Sequence, residues 1–220
     1  MGKSIIITGA TGTAGSQLLR EALADNEISS VTVLVRRPLD IQHPKLKVII
    51  HPDFLNYTGL EGLFKNSDAC IWCLGISQAL VSKEEYIKIT YDYALAAAKA
   101  MSTINPQMTF VFLSGMGADS REKSRVLFAW VKGKTENALK ALPFKHFYIA
   151  RPGGIIPTTK KANMHFKEKA SLFAARIMGA IVPSTVITSS ELGRAMLNFV
   201  KNGSDKVIHE NKELKKRISA

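Results

Sequence analysis

Short runs of β-branched and aliphatic residues, apolar at nearly every position, recur along this chain with segments of helical period between them. Residues 3–8 (KSIIIT), 31–35 (VTVLV), 45–50 (KLKVII), 69–74 (ACIWCL), 108–113 (MTFVFL) and 146–150 (HFYIA) read as strands. A strand apolar on both faces has no side to offer to water, so it needs helices above and below, as in a parallel sheet. Helices are predicted over 14–24, 60–64, 83–101 and 126–142. The alternation predicts an α/β fold, a doubly wound parallel sheet of the Rossmann type.

After ARPGGIIP the pattern loosens into a basic segment at 160–169 and an amphipathic helix running to about Gly179. A short TVITS, a helix over 190–201 and the strand KVIH follow. We expect one domain over 1–220, with 158–220 as a small helical cap at the C-terminal edge of the sheet, where ligands bind in such folds. The basic segment reads as a lid, a partner surface or a helix touching anionic lipid. Its apolar stretch at 172–178 is most simply core or dimer packing, and His165 belongs to a site only if the lid folds inward. The tail ENKELKKRISA reads as a solvated, frayed basic end.

Charge narrows the partners less than the pattern narrows the fold. A formal charge of +12 suits nucleic acid, an anionic membrane surface or a phosphorylated ligand alike. No interleaved aromatics or reading helix accompany the lysines, so specific nucleic-acid binding is not expected. No apolar run approaches the roughly 18 residues of a membrane span, and the N-terminus runs straight into a strand, so the expectation is a soluble, cytoplasmic protein. Cys70 and Cys73 form a C-x-x-C, but inside a strand an odd separation sends the two side chains to opposite faces. With no second Cys or His pair to complete a zinc site, both read as reduced core thiols, and no metal is expected.

IIITGATGTAGSQLL places Gly9, Gly12 and Gly15 between the first strand and the first helix. In that context Gly9 permits a tight turn, Gly12 lets backbone approach a pyrophosphate, and Gly15 lets helix and sheet pack closely. N–H groups at the helix start then face phosphates, so Gly9, Ala10, Thr11, Gly12, Thr13, Ala14 and Gly15 are the expected dinucleotide loop. NAD-selective folds place an acid at the end of the second strand for the ribose 2′-OH. Here that strand runs into Arg36 and Arg37, with no acid before Asp40. Two guanidinium groups suit a 2′-phosphate, which makes NADP the expected cofactor in preference to NAD.

Taken in order, TGATGTAG, RR after the second strand, HPDF after the third, CLG after the fourth, LSGMGAD after the fifth, VKGKTENAL on the next helix and RPG after the sixth form a series. The chain resembles the atypical short-chain dehydrogenase/reductase superfamily and, within it, the small NmrA-like and Tat-interacting-protein-like group, from about residue 3 to 157. The resemblance implies a pyrophosphate on 9–15, a 2′-phosphate on Arg36 and Arg37, and an adenine flanked by Asp53 and Phe54. It also implies a ribose lined by Leu74 and Gly75, nicotinamide ribose hydroxyls on Lys132, and a nicotinamide bordered by Pro152 and Gly153. Ser114 matches the family's catalytic serine, with Lys132 as its partner. Two of these keep a second reading from the residues alone: Asp53 as a turn cap, and Ser114 as a residue that turns the chain with Gly115 and Gly117.

Most of the superfamily transfers hydride with a Y-x-x-x-K pair, whose tyrosine gives or takes a proton at the substrate oxygen. One helical turn puts both residues on the same side, and the lysine charge lowers the phenol's pKa from about 10. Four residues before Lys132 this chain carries Phe128, which has no proton to transfer. General acid–base help is worth roughly 10²- to 10⁴-fold in rate, whereas the phosphate and ribose contacts do not need that hydroxyl. Trp130 has no useful acidity and points elsewhere on the helix. Tyr86, Tyr91 and Tyr93 lie on the helix after the fourth strand, and packing is the simpler role for each. The resemblance therefore implies an NADP(H)-dependent oxidoreductase or epimerase acting on a small carbonyl or sugar-like substrate. The alternative is a catalytically silent NADP-sensing regulator or scaffold with a protein partner, as a monomer or homodimer.

Overall fold

A computed structural model describes residues 2–159 and 182–219. Seven parallel strands form the main sheet in the order β3-β2-β1-β4-β5-β6-β9. These are β1 (Lys3–Thr8), β2 (Ile28–Val35), β3 (Leu46–Ile50), β4 (Ala69–Trp72), β5 (Thr109–Leu113), β6 (His146–Arg151) and β9 (Ile208–Glu210). The order reverses between β1 and β4, so their C-terminal ends open the crevice in which doubly wound sheets bind ligands. A second, two-stranded parallel sheet joins β7 (Gly154–Ile156) to β8 (Val186–Thr188) beside it.

The strands are apolar at successive positions because each face has its own core. On one face Ile5, Ile7, Val31, Val33, Ile71 and Val111 pack with Leu18 and Leu19 of α1 (Thr13–Ala24) and with Leu192, Met196 and Phe199 of α6 (Ser189–Asn202). On the other, Ile6, Leu34, Cys70, Trp72, Phe110 and Phe112 meet Ala94, Ala97, Ala98 and Met101 of α4 (Tyr93–Ile104) and Leu139 of α5 (Leu127–Lys140). The alanines bring α4 close to the sheet, leaving room for the large strand aromatics. Cys70 faces this second core and Cys73 packs against the first, the opposite-face arrangement that their odd spacing predicts, and both thiols are free. A short α2 (Glu61–Lys65) precedes β4.

Three local features depart from the sequence pattern. The helix predicted over 83–101 is α3 (Lys83–Ile87), a π-helical turn (Lys88–Asp92) and α4 in succession. The tail is not a frayed end: α7 (Asn211–Lys216) starts with a capping box between Glu210 and Glu213, buries Leu214 fully, and is followed by Arg217 stacked over the Phe199 ring. Residues 182–219, expected as part of a cap, are largely built into the body of the domain. They supply edge strand β9, strand β8 and helix α6, which covers α1. The basic segment, its predicted helix and His165 lie outside the described residues. Among the described residues no helix is long and apolar enough to cross a membrane, and no cluster of His, Cys, Asp and Glu could hold a metal ion.

Candidate functional site

The glycine loop sits at the C-terminal end of β1. Gly9 has a φ of +67°, and a Cβ there would stand 2.5 Å from the Cys73 carbonyl oxygen. A Cβ on Gly15 would run into the Gly9 carbonyl, so the third glycine exists to let α1 lie against the turn it grows from. Gly12 donates to the Gly9 carbonyl at 2.9 Å and is the N-cap of α1, and no side chain caps that helix. The α1 start therefore keeps first-turn donors for an anion. A cleft of about 170 Å³ opens there between Thr11, Gly12, Thr13, Ser16 and Arg20 on one side and Pro157 and Thr159 on the other. That volume fits phosphoryl groups rather than a whole dinucleotide, which usually occupies a larger cleft. Sequence reasoning missed Arg20, although Thr13, Ser16 and Arg20 follow the three-and-four spacing of one helix face.

Arg36 and Arg37 follow β2 directly, on the strand paired with β1, so they stand at the same sheet edge as the loop. Both are exposed, and among the described residues neither pairs with a carboxylate. Asp53 caps its own turn, accepting from the Leu55 N–H at 2.9 Å, and stays exposed. Phe54 is only 1% exposed. Its ring packs among His51, Trp72 and Tyr93, so the surface of this segment is Asp53 and backbone, with the phenyl ring turned inward. After β4 the Leu74 N–H donates to the Thr8 hydroxyl at 3.2 Å, tying the Leu74-Gly75 backbone to the end of β1. Thr8 is a second residue that the sequence reading passed over.

Helix α5 brings Lys132 to the end of β5. Its ammonium donates to the Leu113 carbonyl at 3.0 Å and lies 4.9 Å from the centre of the Phe112 ring. Burial lowers its pKa to about 8 against the opposing pull of Glu136 and Cys73. Burial also pushes the Cys73 thiol up to about 12. Ser114, next to Leu113, gives its hydroxyl proton to Glu136, which is 1% exposed and clamped by Arg151 through Nε at 3.0 Å and through Nη2. Arg151 reaches Ser120 at 2.7 Å and Glu210 at 3.0 Å as well. Glu136 and Arg151 stand within the VKGKTENAL and RPG markers, but the sequence reading gave neither a role. The signal was Glu136 four residues after Lys132, a spacing that puts both on one face of α5.

Pro152 and Gly153 follow β6 and are held from two sides. Met116 donates to the Pro152 carbonyl at 2.8 Å, and the Gly153 N–H donates to the Asn211 side chain at 2.8 Å. Asn211 in turn donates to the carbonyls of Ser184 at 2.7 Å and Val186 at 3.0 Å. Phe128 occupies the place of the superfamily's tyrosine, half-buried against Gly115. Tyr86 is buried in the core, Tyr91 lies under the Lys134 ammonium at 4.9 Å, and Tyr93 packs on Phe54. Among the described residues none of the three hydrogen-bonds to Ser114 or Lys132. Trp130 also lies beneath Lys134, at 5.2 Å.

Comparison with known proteins agrees with this geometry. The NAD(P)H-binding family matches residues 9–173. Protein HTATIP2 of Rattus norvegicus is 29% identical over 220 residues, covering 96% of this chain and 88% of the relative. The mitochondrial protein fmp52-2 of Aspergillus terreus is 31% identical over 171 residues, covering 77% and 71%. Among solved structures, a short-chain dehydrogenase from Burkholderia cenocepacia in complex with NADP superposes with a TM-score of 0.67 at 19% identity, over 100% of this chain and 93% of that one. A UDP-N-acetylglucosamine 4-epimerase from Methanobrevibacter ruminantium superposes with a TM-score of 0.69 at 16% identity, over 95% and 76%. With the glycine loop, the seven-stranded order and the Lys132 helix all in place, the chain belongs to the NAD(P)H-binding family, in the NmrA-like group of atypical short-chain dehydrogenases/reductases.

Proposed function

We propose that this protein binds NADP(H) in preference to NAD(H) and uses it in oxidoreductase or epimerase chemistry on a small carbonyl or sugar-like substrate. The observation that carries the cofactor choice is the arginine pair. Arg36 and Arg37 are exposed at the end of β2, without a carboxylate partner among the described residues, where an NAD-selective fold keeps an acid. The loop from Gly9 to Gly15, joined by Arg20, would hold the pyrophosphate, and the two arginines the 2′-phosphate. Asp53, Leu74 and Gly75 would border the adenosine half, with Pro152 and Gly153 at the nicotinamide and Lys132 on its ribose hydroxyls.

NADPH, when bound, supplies a hydride; the chain has to orient the acceptor and manage a proton. Lys132 is the group suited to that proton, because its ammonium sits beside Ser114 and titrates near 8, within reach of neutral pH. Phe128 favours a second reading, a silent NADP-responsive regulator, since a ring packed on Gly115 contributes no acid.

Fluorescence titration checks the first point, with NADPH expected to bind more tightly than NADH; equal affinity would remove the arginine assignment. NADPH oxidation with aldehydes, ketones and quinones, in the wild type and in Phe128→Tyr, separates the two readings. Turnover in the wild type supports the enzyme. No turnover in the wild type, with NADPH binding intact, supports the regulator.

A further inference from the structure

Glu136 is a buried carboxylate that the family resemblance did not assign, and it contacts two parts of the candidate site at once. We propose that Glu136, clamped by Arg151, is a positioning residue that accepts the single hydroxyl hydrogen bond of Ser114 and faces the Lys132 ammonium from the next turn of α5, leaving Ser114 as a hydrogen-bond acceptor for a ligand hydroxyl. The functional half of this inference rests on the cofactor reading above.

The direction of the Ser114 bond follows from counting protons. A serine hydroxyl has one proton and two lone pairs, and an ionised carboxylate has no proton to give. Both oxygens of Glu136 accept from the guanidinium of Arg151, Oε1 from Nε at 3.0 Å and Oε2 from Nη2, the two-pronged ion pair that a guanidinium makes with a carboxylate. The contact between Ser114 Oγ and Glu136 Oε1 therefore runs from serine to glutamate. What Ser114 offers to the cleft is a lone pair. A carbonyl oxygen gains nothing from it, whereas a hydroxyl, on a sugar, an alcohol or a ribose, donates into it. Lys132, which spends one N–H on the Leu113 carbonyl, is the donor beside this acceptor.

Helix α5 grips the end of β5 twice, by Lys132 on the Leu113 backbone and by Glu136 on the Ser114 side chain. The groups facing Lys132 are Glu136 on its own helix, the Cys73 thiol beyond β4, and the Phe112 ring with the Leu113 carbonyl of β5. Those facing Glu136 are Lys132 on its own helix, Ser114 and, from β6, Arg151, whose Nη2 is shared between Glu136 and Ser120 and whose Nη1 meets Glu210 at the end of β9. Burial pulls the Lys132 titration down and Glu136 holds it up. Removing the negative charge while keeping the shape should let it fall further.

The test uses the full chain without cofactor, labelled at lysine, with the Lys132 signal followed by NMR across pH in the wild type and in Glu136→Gln. The midpoint is expected to fall by about one pH unit in the variant; an unchanged midpoint in a folded variant overturns the proposal. The second measurement needs no variant. In the serine-labelled wild type the Ser114 hydroxyl proton should exchange slowly with water, and exchange as fast as that of an exposed serine overturns the proposal even if Glu136→Gln does not fold. NADPH titration keeps the two readings apart. A wild type that binds no NADPH defeats the cofactor reading while the apo Lys132 shift still upholds Glu136; NADPH binding with no such shift defeats Glu136 alone.

Discussion

The Phe128 ring tip lies directly on Gly115: a Cβ built on that glycine would stand 2.7 Å from Cζ. The two residues share one space at the end of β5, beside Ser114. Gly115→Ala is therefore expected to destabilise the fold by about 1–3 kcal/mol through overpacking. Phe128→Leu should relieve most of that cost in the double variant, giving a coupling that a double-mutant cycle in urea would read directly.

The arginine pair should act on one cofactor only. On the proposed 2′-phosphate assignment, Arg36→Ala and Arg37→Ala would each remove a charge-assisted contact worth about 1.5–3 kcal/mol, or roughly 10- to 150-fold in NADPH affinity. NADH, which lacks the 2′-phosphate, should bind almost as it does to the wild type. A loss shared equally by both cofactors would point to a structural role for these residues.

Much of the fold and of the site is legible in the sequence, and the reasons differ by element. The strands of the sheet announce themselves because burial on both faces demands unbroken apolar runs, and the glycine loop because backbone geometry at Gly9 and Gly15 leaves no alternative residue. What the sequence hides is pairing at a distance. Nothing local to Glu136 says that Arg151 waits on β6 to neutralise it, 15 residues on. The family resemblance sets Phe54 with Asp53 beside the adenine, and only the meeting with Trp72 and His51 turns its ring inward. The tail reads as solvated because its charged residues outnumber its apolar ones, yet Leu214 and the Glu210–Glu213 capping box are enough to seat it.

Lys132 makes the pH dependence of stability predictable in sign. Folded, it titrates near 8, against 10.5 for a free lysine. Between those values the unfolded chain carries a proton that the folded chain has given up, so this group's contribution to stability increases with pH across the window. Below pH 8 the cost of the buried charge is present in full. Lys132→Met should thus gain relative to the wild type by about 2 kcal/mol more at pH 7 than at pH 10.5, after discounting for the side chain's partial exposure. Comparing thermal melts at the two pH values cancels pH-independent losses, such as the bond to Leu113.

The hold on Gly153 can be cut at a distance from the cleft. Asn211→Ala leaves the Gly153 N–H and the carbonyls of Ser184 and Val186 without their partner, at an expected cost of about 2–4 kcal/mol. Leu214→Ala, which empties a fully buried site, should cost about 2–5 kcal/mol. Denaturant midpoints measure both, and, if Pro152 and Gly153 border the nicotinamide as proposed, Asn211→Ala alone should also weaken NADPH binding, because it frees that backbone.

The π-helical turn at Lys88–Asp92 holds one residue more than an α-helical turn needs. It works as a phase adjuster. Each residue of an α-helix advances the wheel by about 100°, so the extra one offsets the face of α3 from the face of α4 by that angle. Excising a single residue from the turn would let one unbroken α-helix run from α3 into α4, and Tyr86 and the alanines of α4 could no longer be buried together. A length polymorphism here would therefore rewire packing more severely than most substitutions, because it rotates a whole face of the protein instead of altering one side chain.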